Sequence, residues 1–274
     1  MCLFPSGSAP HGNGDRWRAD SPPAAGRPAS GRWPPCPRHT AGTAAPPSNP
    51  GDTGAGKTTL IKLLSGLLEP ISGEIFYDNR LLKNISIKER SKIFSYVSQK
   101  SINSDDFNVK DYLTYGVVNS LKFYEHPKDE HVIEVLQVSK KLNIEHLLDK
   151  KIGQLSGGEK QIITIAAAII QNTPVIILDE PTSALDLKNQ NSVLSLLKEI
   201  AKDGKTIILS SHNPNHALYL DGNVVVLKKG EIVEFGNAKD VISIEKLQDV
   251  YGDDICYSDQ LNYREISFKG KGQL

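Results

Sequence analysis

Residues 51–58 read GDTGAGKT, a glycine-spaced octapeptide that fits G-x-x-x-x-G-K-[ST] at Gly51, Gly56, Lys57 and Thr58. A loop of this kind curls so tightly that successive backbone N–H groups point inward at phosphate oxygens, which requires residues able to take positive φ. It joins a buried strand to the first turn of a helix, so it restricts the chain to an α/β fold. The helix is legible. Leu60, Ile61, Leu63, Leu64 and Leu67 recur at helical spacing in TTLIKLLSGLL, and the helix N-terminus adds partial positive charge at the loop. Gly51, Asp52, Thr53, Gly54, Ala55, Gly56, Lys57, Thr58 and Thr59 are therefore the expected contacts to ATP phosphates. Lys57 is placed to reach the β- and γ-phosphates, and the Thr58 hydroxyl to complete a Mg²⁺ shell.

The strand on the other side of the loop is not legible. Residues 39–50, HTAGTAAPPSNP, hold Pro46, Pro47 and Pro50 and no β-branched apolar run, and proline cannot donate a ladder hydrogen bond inside a sheet. Eleven of the 16 prolines and both tryptophans fall in residues 1–50, while no lysine precedes Lys57 and no isoleucine precedes Ile61. Residues 1–50 lack both strand and helix periodicity, and their apolar content is too low to offset the entropy of ordering them. The expectation is a disordered segment. No apolar run follows the start, so it does not read as a signal peptide. Residue usage shifts from GC-rich to AT-rich codons at the boundary, which fits a frameshift, a misjoined reading frame or a fusion.

A second element lies downstream. TPVIILDEPTSALD carries an unbroken apolar run, Val175 to Leu178, ending in Asp179 and Glu180, the form of a buried parallel strand emerging at its C-terminal edge. Asp179 can hold Mg²⁺ through water, and Glu180 can orient the water that attacks the γ-phosphate. The third element is LSGGEKQ, residues 155–161, where Ser156, Gly157, Gly158 and Glu159 open a helix and form another anion-receiving terminus. One nucleotide needs one such loop. The second receptor is therefore expected to face the ATP of a second copy placed head to tail.

With these elements in view, residues 51 to about 252 resemble the ATP-binding subunit of an ABC transporter. The resemblance rests on GDTGAGKTT (Walker A), SYVSQK (Q-loop, Gln99), LSGGEKQ (signature), VIILDE (Walker B), SALD (D-loop, Ser183 to Asp186) and LSSH (switch histidine, His212), in the family's order. It implies that Glu180 is the general base, that His212 contacts the γ-phosphate, and that Gln99 joins Thr58 and Asp179 around Mg²⁺ and couples them to the membrane subunit. It also implies that Ser183 and Asp186 act across a homodimer interface, and that transmembrane permease subunits hold the protein at the cytoplasmic face of the membrane. The stretches SSHNPNHALYLDGNVVVLKKGEIVEFG, KLQDVYG and FNVKDYLTYG are similar to the subgroup that serves iron–siderophore, haem and cobalamin importers.

The resemblance implies a P-loop NTPase core with a mainly parallel sheet, strands near EIFYD, IFSYV, PVIILD, TIILSS and NVVVLKKGEIVEFG, and an inserted helical subdomain over about residues 100–151. Residues 253–274 form a C-terminal extension. Net charge is zero, with 32 basic and 32 acidic residues, which argues against electrostatic capture of nucleic acid. Three scattered cysteines do not make a disulfide framework. No apolar stretch approaches the roughly 20 residues of a membrane helix. His126, His131, His146 and His216 read as solvated.

Two departures from the family bear on activity. The strand before the loop belongs between TIILSS and NVVVL, so that slot is expected to be empty or badly filled, a loss comparable to the roughly 5–15 kcal/mol of a domain's net stability. All nine tyrosines follow residue 51, so the upstream aromatic that stacks on adenine is missing unless Trp17 or Trp33 replaces it. By analogy with base stacking, that weakens ATP binding about ten- to hundredfold. Two further readings stay open beside an active importer ATPase: a truncated or chimeric nucleotide-binding remnant, and a non-transport ABC ATPase.

Overall fold

The computed structural model describes residues 2–4, 55–99, 105–116, 129–243, 255–260 and 263–268. Gly51, Asp52, Thr53, Gly54, His126, Trp17 and Trp33 lie outside them.

The first long-range consequence of the sequence is a six-stranded sheet. Its strands are β1 (Cys2–Phe4), β4 (Phe94–Val97), β5 (Val175–Leu178), β6 (Thr206–Ser210), β7 (Asn223–Lys228) and β8 (Glu231–Asn237), in the order β4-β5-β6-β1-β7-β8. β4, β5 and β6 are parallel, in a register pairing Val97 with Leu178 and Leu178 with Leu209. β7 and β8 form an antiparallel hairpin. Two small antiparallel ribbons stand apart from this sheet: β2 (Phe76–Tyr77) with β3 (Arg80–Leu81), and β9 (Ile255–Gln260) with β10 (Tyr263–Phe268).

Burial explains why β5 reads as continuous apolar sequence. Side chains alternate across a strand, so Val175 and Ile177 enter one apolar cluster while Ile176 and Leu178 enter another, and all four are at most 2% exposed. On one face Ile61 of α1 (Lys57–Leu64) packs with Phe94, Ile177, Ile208 and Val225. On the other, α5 (Gly157–Ile170) and α6 (Leu187–Lys202) cover Ile176, Leu178, Ile207 and Leu209. The same cluster continues through Val109 and Leu113 of α3 (Val109–Gly116) and Val135 and Val138 of α4 (Asp129–Lys141). α1 is shorter than the apolar spacing predicts. Gly66 takes φ +71 just after it, and Leu67 is left outside the helix and 59% exposed.

The slot between β6 and β7 is where the structure departs from expectation. It is neither empty nor filled by the residues before the loop: β1 occupies it, antiparallel to both neighbours, pairing Leu3 with Leu209 and with Val224. The disorder expected of residues 1–50 therefore does not extend to Cys2–Phe4. The physical reason is the vacancy itself. β6 and β7 run in the same sense, since each opposes β1, and face each other with unpaired N–H and C=O groups that any extended apolar segment able to reach them will satisfy. The tripeptide CLF is such a segment.

Candidate active site

The site forms where α1 begins and β4, β5 and β6 end. At its start Gly56 adopts φ +90, a conformation that a side chain would strain, and the Gly230 N–H holds the carbonyl of Ala55 at 3.2 Å. Lys57 is the first residue of α1, and Thr58 and Thr59 continue its first turn.

Glu180 is the hub. It stands two residues past Leu178, the end of β5, at φ +48, a left-handed conformation costing about 1–3 kcal/mol in a non-glycine residue. Its Oε1 lies 2.7 Å from the Lys57 ammonium, its Oε2 accepts a hydrogen bond from Gln99 Nε2 at 3.2 Å, and His212 Nδ1 approaches Oε2 at 3.9 Å. Lys57, Gln99 and His212, drawn from three separate motifs, thus converge on the carboxylate of a fourth, Glu180. Lys57 and Glu180 are both largely shielded, at 16% and 18% exposure, whereas His212 is 66% exposed. Lys57 is bonded to the residue expected to serve as general base, a pairing that its expected phosphate role does not disclose.

Asp179, one residue earlier, is 1% exposed. Its backbone N–H donates to the carbonyl of Val97 at 2.9 Å, prolonging the β4–β5 ladder by one bond, and its Oδ1 accepts from the Ser210 hydroxyl at 2.6 Å. The same hydroxyl accepts from the Glu180 N–H at 2.9 Å. On β4, Tyr96 has its phenol pushed up to about 12, by burial first and by the Asp179 charge second, so it is neutral at working pH. The donor set assigned to Mg²⁺ is a hydroxyl, a carboxylate and an amide, the hard oxygen chemistry this cation takes. Gln99 turns its amide nitrogen to Glu180, which leaves the amide oxygen as the group that can face a cation.

The second expected anion receptor lies at the start of α5. Ser156 is its N-cap, accepting from the Glu159 N–H at 3.3 Å, while the Glu159 carboxylate accepts from the Ser156 N–H at 2.7 Å. The Ser156 N–H first, and the Ser156 hydroxyl second, hold the Glu159 carboxyl below the usual carboxylate range. A Cβ on Gly158 would stand 3.0 Å from the carbonyl of Ala184, so glycine lets the signature approach the D-loop backbone. In that loop the Ser183 hydroxyl donates to the Glu180 carbonyl at 3.0 Å, and Asp186 caps α6 by accepting from the Asn189 N–H at 2.8 Å. Both residues therefore have local tasks beyond the interface contacts implied for them.

Two residues escaped sequence reading. Ser210 is one. His216 is the other: expected to be solvated, it is 7% exposed within α7 (Pro214–Leu220). Its ring nitrogens face Ser211 Oγ at 2.9 Å and Asn213 Nδ2 at 3.3 Å, the two neighbours of His212. One neutral tautomer satisfies both, with Nδ1–H donating to Ser211 and Nε2 accepting from Asn213. Burial, then the nearby His212, push the His216 pKa down to about 4. Pro214 after the capping Asn213 marks a helix start, the one local hint that His216 turns inward in the first turn.

Comparison with known proteins bears on this geometry. The ABC transporter family profile matches residues 50–183. An ABC transporter ATP-binding protein of Haemophilus influenzae is 38% identical over 73% of this chain and 76% of its own length. The petrobactin import ATP-binding protein of Bacillus subtilis is 33% identical over 73% and 79%, and the ferric enterobactin transport ATP-binding protein of Escherichia coli 29% identical over 74% and 75%. Among solved structures, a metal-chelate-type ABC transporter in an inward-facing conformation superposes with a TM-score of 0.65 at 29% identity, over 80% of this chain and 84% of that one. A dimeric ATP-binding cassette with ADP and phosphate gives 0.60 at 27% identity, over 67% and 81%. Four motifs meeting at Glu180 on a parallel sheet, together with these likenesses in sequence and structure, place the chain in the ABC transporter ATP-binding family of P-loop ATPases.

Proposed function

We propose that this chain is the ATPase subunit of an importer for a metal chelate of the iron–siderophore type, hydrolysing ATP between two copies placed head to tail. The observation that carries the reading is the convergence of Lys57, Gln99 and His212 on Glu180. In the proposed reaction an arriving γ-phosphate competes with Glu180 for Lys57 and releases the carboxylate. Glu180 then accepts a proton from the attacking water, with Gln99 orienting it and His212 contacting the γ-phosphate. Thr58, Gln99 and Asp179 would hold Mg²⁺, which would supply neutralisation of phosphate charge. The capped terminus at Ser156, with Gly157 and Gly158, receives the phosphate held by the partner copy, while Ser183 and Asp186 line the shared interface.

Among the described residues no helix is long and apolar enough to cross a membrane. Attachment to the cytoplasmic face through permease subunits accounts for how such a chain acts on transport. The solute class rests on the petrobactin and enterobactin relatives and the metal-chelate structure. Uptake of a radiolabelled ferric siderophore by cells making the Glu180→Gln chain in place of the native one tests it. Uptake falling more than tenfold supports the reading; unchanged uptake refutes it.

One observation favours a second reading, a nucleotide-binding module of low activity. The sheet on which α1 packs is completed by three residues running against their neighbours. Nucleotide titration of the purified chain separates the two. Micromolar ATP affinity with steady turnover supports the transporter subunit, and affinity weaker by ten- to hundredfold supports the second reading.

A further inference from the structure

We propose that Ser210 is a positioning residue for the reacting centre, its hydroxyl fixing the carboxylate of Asp179 and the backbone of Glu180 relative to each other. The proposal rests on the assignment of Asp179 as a Mg²⁺-holding group. A serine hydroxyl has one proton and two lone pairs. The proton is committed to Asp179 Oδ1 at 2.6 Å, a short contact of the charge-assisted kind, and one lone pair receives the Glu180 N–H at 2.9 Å. Both ends are shut off from solvent, with Ser210 at 0% and Asp179 at 1% exposure.

The arrangement follows from where the ladder stops. β5 pairs with β6 as far as Leu178 and Leu209. The next residues across that edge are Asp179 and Ser210, and side chain replaces backbone as the link. Glu180 then turns left-handed at φ +48, which takes its N–H out of the ladder and aims it back at β6. Ser210 receives it there. This serine ties two consecutive residues whose side chains carry the chemistry. With Oδ1 engaged, Oδ2 is the Asp179 oxygen left for a metal-bound water.

The test uses the full chain and a readout independent of turnover: Mn²⁺ affinity in the presence of a saturating non-hydrolysable ATP analogue, followed by electron paramagnetic resonance. Fluorescent-nucleotide binding in EDTA is measured in parallel. Ser210→Ala is expected to weaken Mn²⁺ about tenfold, the size of one charge-assisted hydrogen bond, with nucleotide binding in EDTA changed less than twofold. Ser210→Thr, which keeps the hydroxyl, is expected to restore Mn²⁺ affinity to within about threefold. Unchanged Mn²⁺ affinity in Ser210→Ala overturns the proposal, as does an equal loss of nucleotide binding with and without metal. Should Ser210→Ala give no cooperative unfolding transition, Ser210→Cys replaces it, expected to be weakened where Ser210→Thr is not; equal affinities for the two overturn the proposal. Asp179→Asn separates the underlying assignment: if it leaves Mn²⁺ affinity unchanged, the metal role of Asp179 fails, whereas its loss beside a normal Ser210→Ala sinks Ser210 alone.

Discussion

Strand β6 has two edges, and they are completed in different ways. Toward β5 it pairs in parallel along Thr206 to Leu209, and the link continues past the ladder through Ser210 and Asp179. Toward β1 only Leu209 and Ser210 are in register with Leu3 and Cys2. The carboxylates stand on the first side. Over the same sheet α1, which carries Lys57, packs Ile61 against Ile208, Phe94 and Val225, the last belonging to β7 across the sparsely paired slot. The contrast teaches that the two halves of the proposed nucleotide site lean on supports of unequal strength. The residue proposed to activate water rests on a finished parallel ladder, and the lysine proposed to capture phosphate rests partly on three residues.

The largest blow to the contrast strikes chemistry alone. Glu180→Gln keeps the shape of the hub but removes the proposed base, so turnover is expected to fall by about 10²–10⁴-fold with nucleotide affinity kept, measured by phosphate release and by titration. Next comes the strong side of the sheet. Ile176 is fully buried in β5, and Ile176→Ala is expected to cost about 2–5 kcal/mol in chemical denaturation. On the weak side, Leu3→Pro removes a ladder donor at the centre of β1 and is expected to cost about 1–3 kcal/mol, less than the β5 change. A cost equal to or above that of Ile176→Ala would erase the inequality between the edges. Ser156→Ala removes the cap of α5, away from both edges, and is expected to lower stability by about 1 kcal/mol.

A further effect, seen only in acid, concerns pH. The folded pKa of His216, about 4, lies below its unfolded value of 6.5, because burial and the neighbouring His212 disfavour the cation. The folded state therefore binds fewer protons than the unfolded chain between those values. The contribution is complete above pH 6.5 and is lost as pH falls toward 4. Melting temperatures recorded across that window should decline in the native chain and decline less in His216→Asn. Parallel curves would show that this histidine does not govern the acid limb.

Much of the fold was legible because it is written in local spacing. The period of Leu60, Ile61, Leu63 and Leu64 gives α1, the unbroken run from Val175 to Leu178 gives a strand covered on both faces, and Ser156 with Glu159 gives a reciprocal cap. Leu67 was misplaced because the same spacing cannot say where a glycine will end the helix. In the site, Gln99, Asp179, Glu180 and His212 were legible as members of an ordered set of motifs, and Gln99 and His212 gather at the carboxylate of Glu180. Ser210 and His216 carried no such mark, since a serine and a histidine near a strand end are ordinary surface residues until their partners are known.

By itself, then, the amino-acid order determined the elements, their caps and the residue types able to handle phosphate, metal and water, since each of these depends on neighbours within a few positions. Only tertiary structure decided that Lys57 rests on Glu180, that Ser210 joins Asp179 to Glu180, that His216 is buried, and that Cys2–Phe4 enters the sheet. Those outcomes turn on which unpaired or charged groups the folded chain brings face to face, and a buried polar group takes the partner that packing supplies.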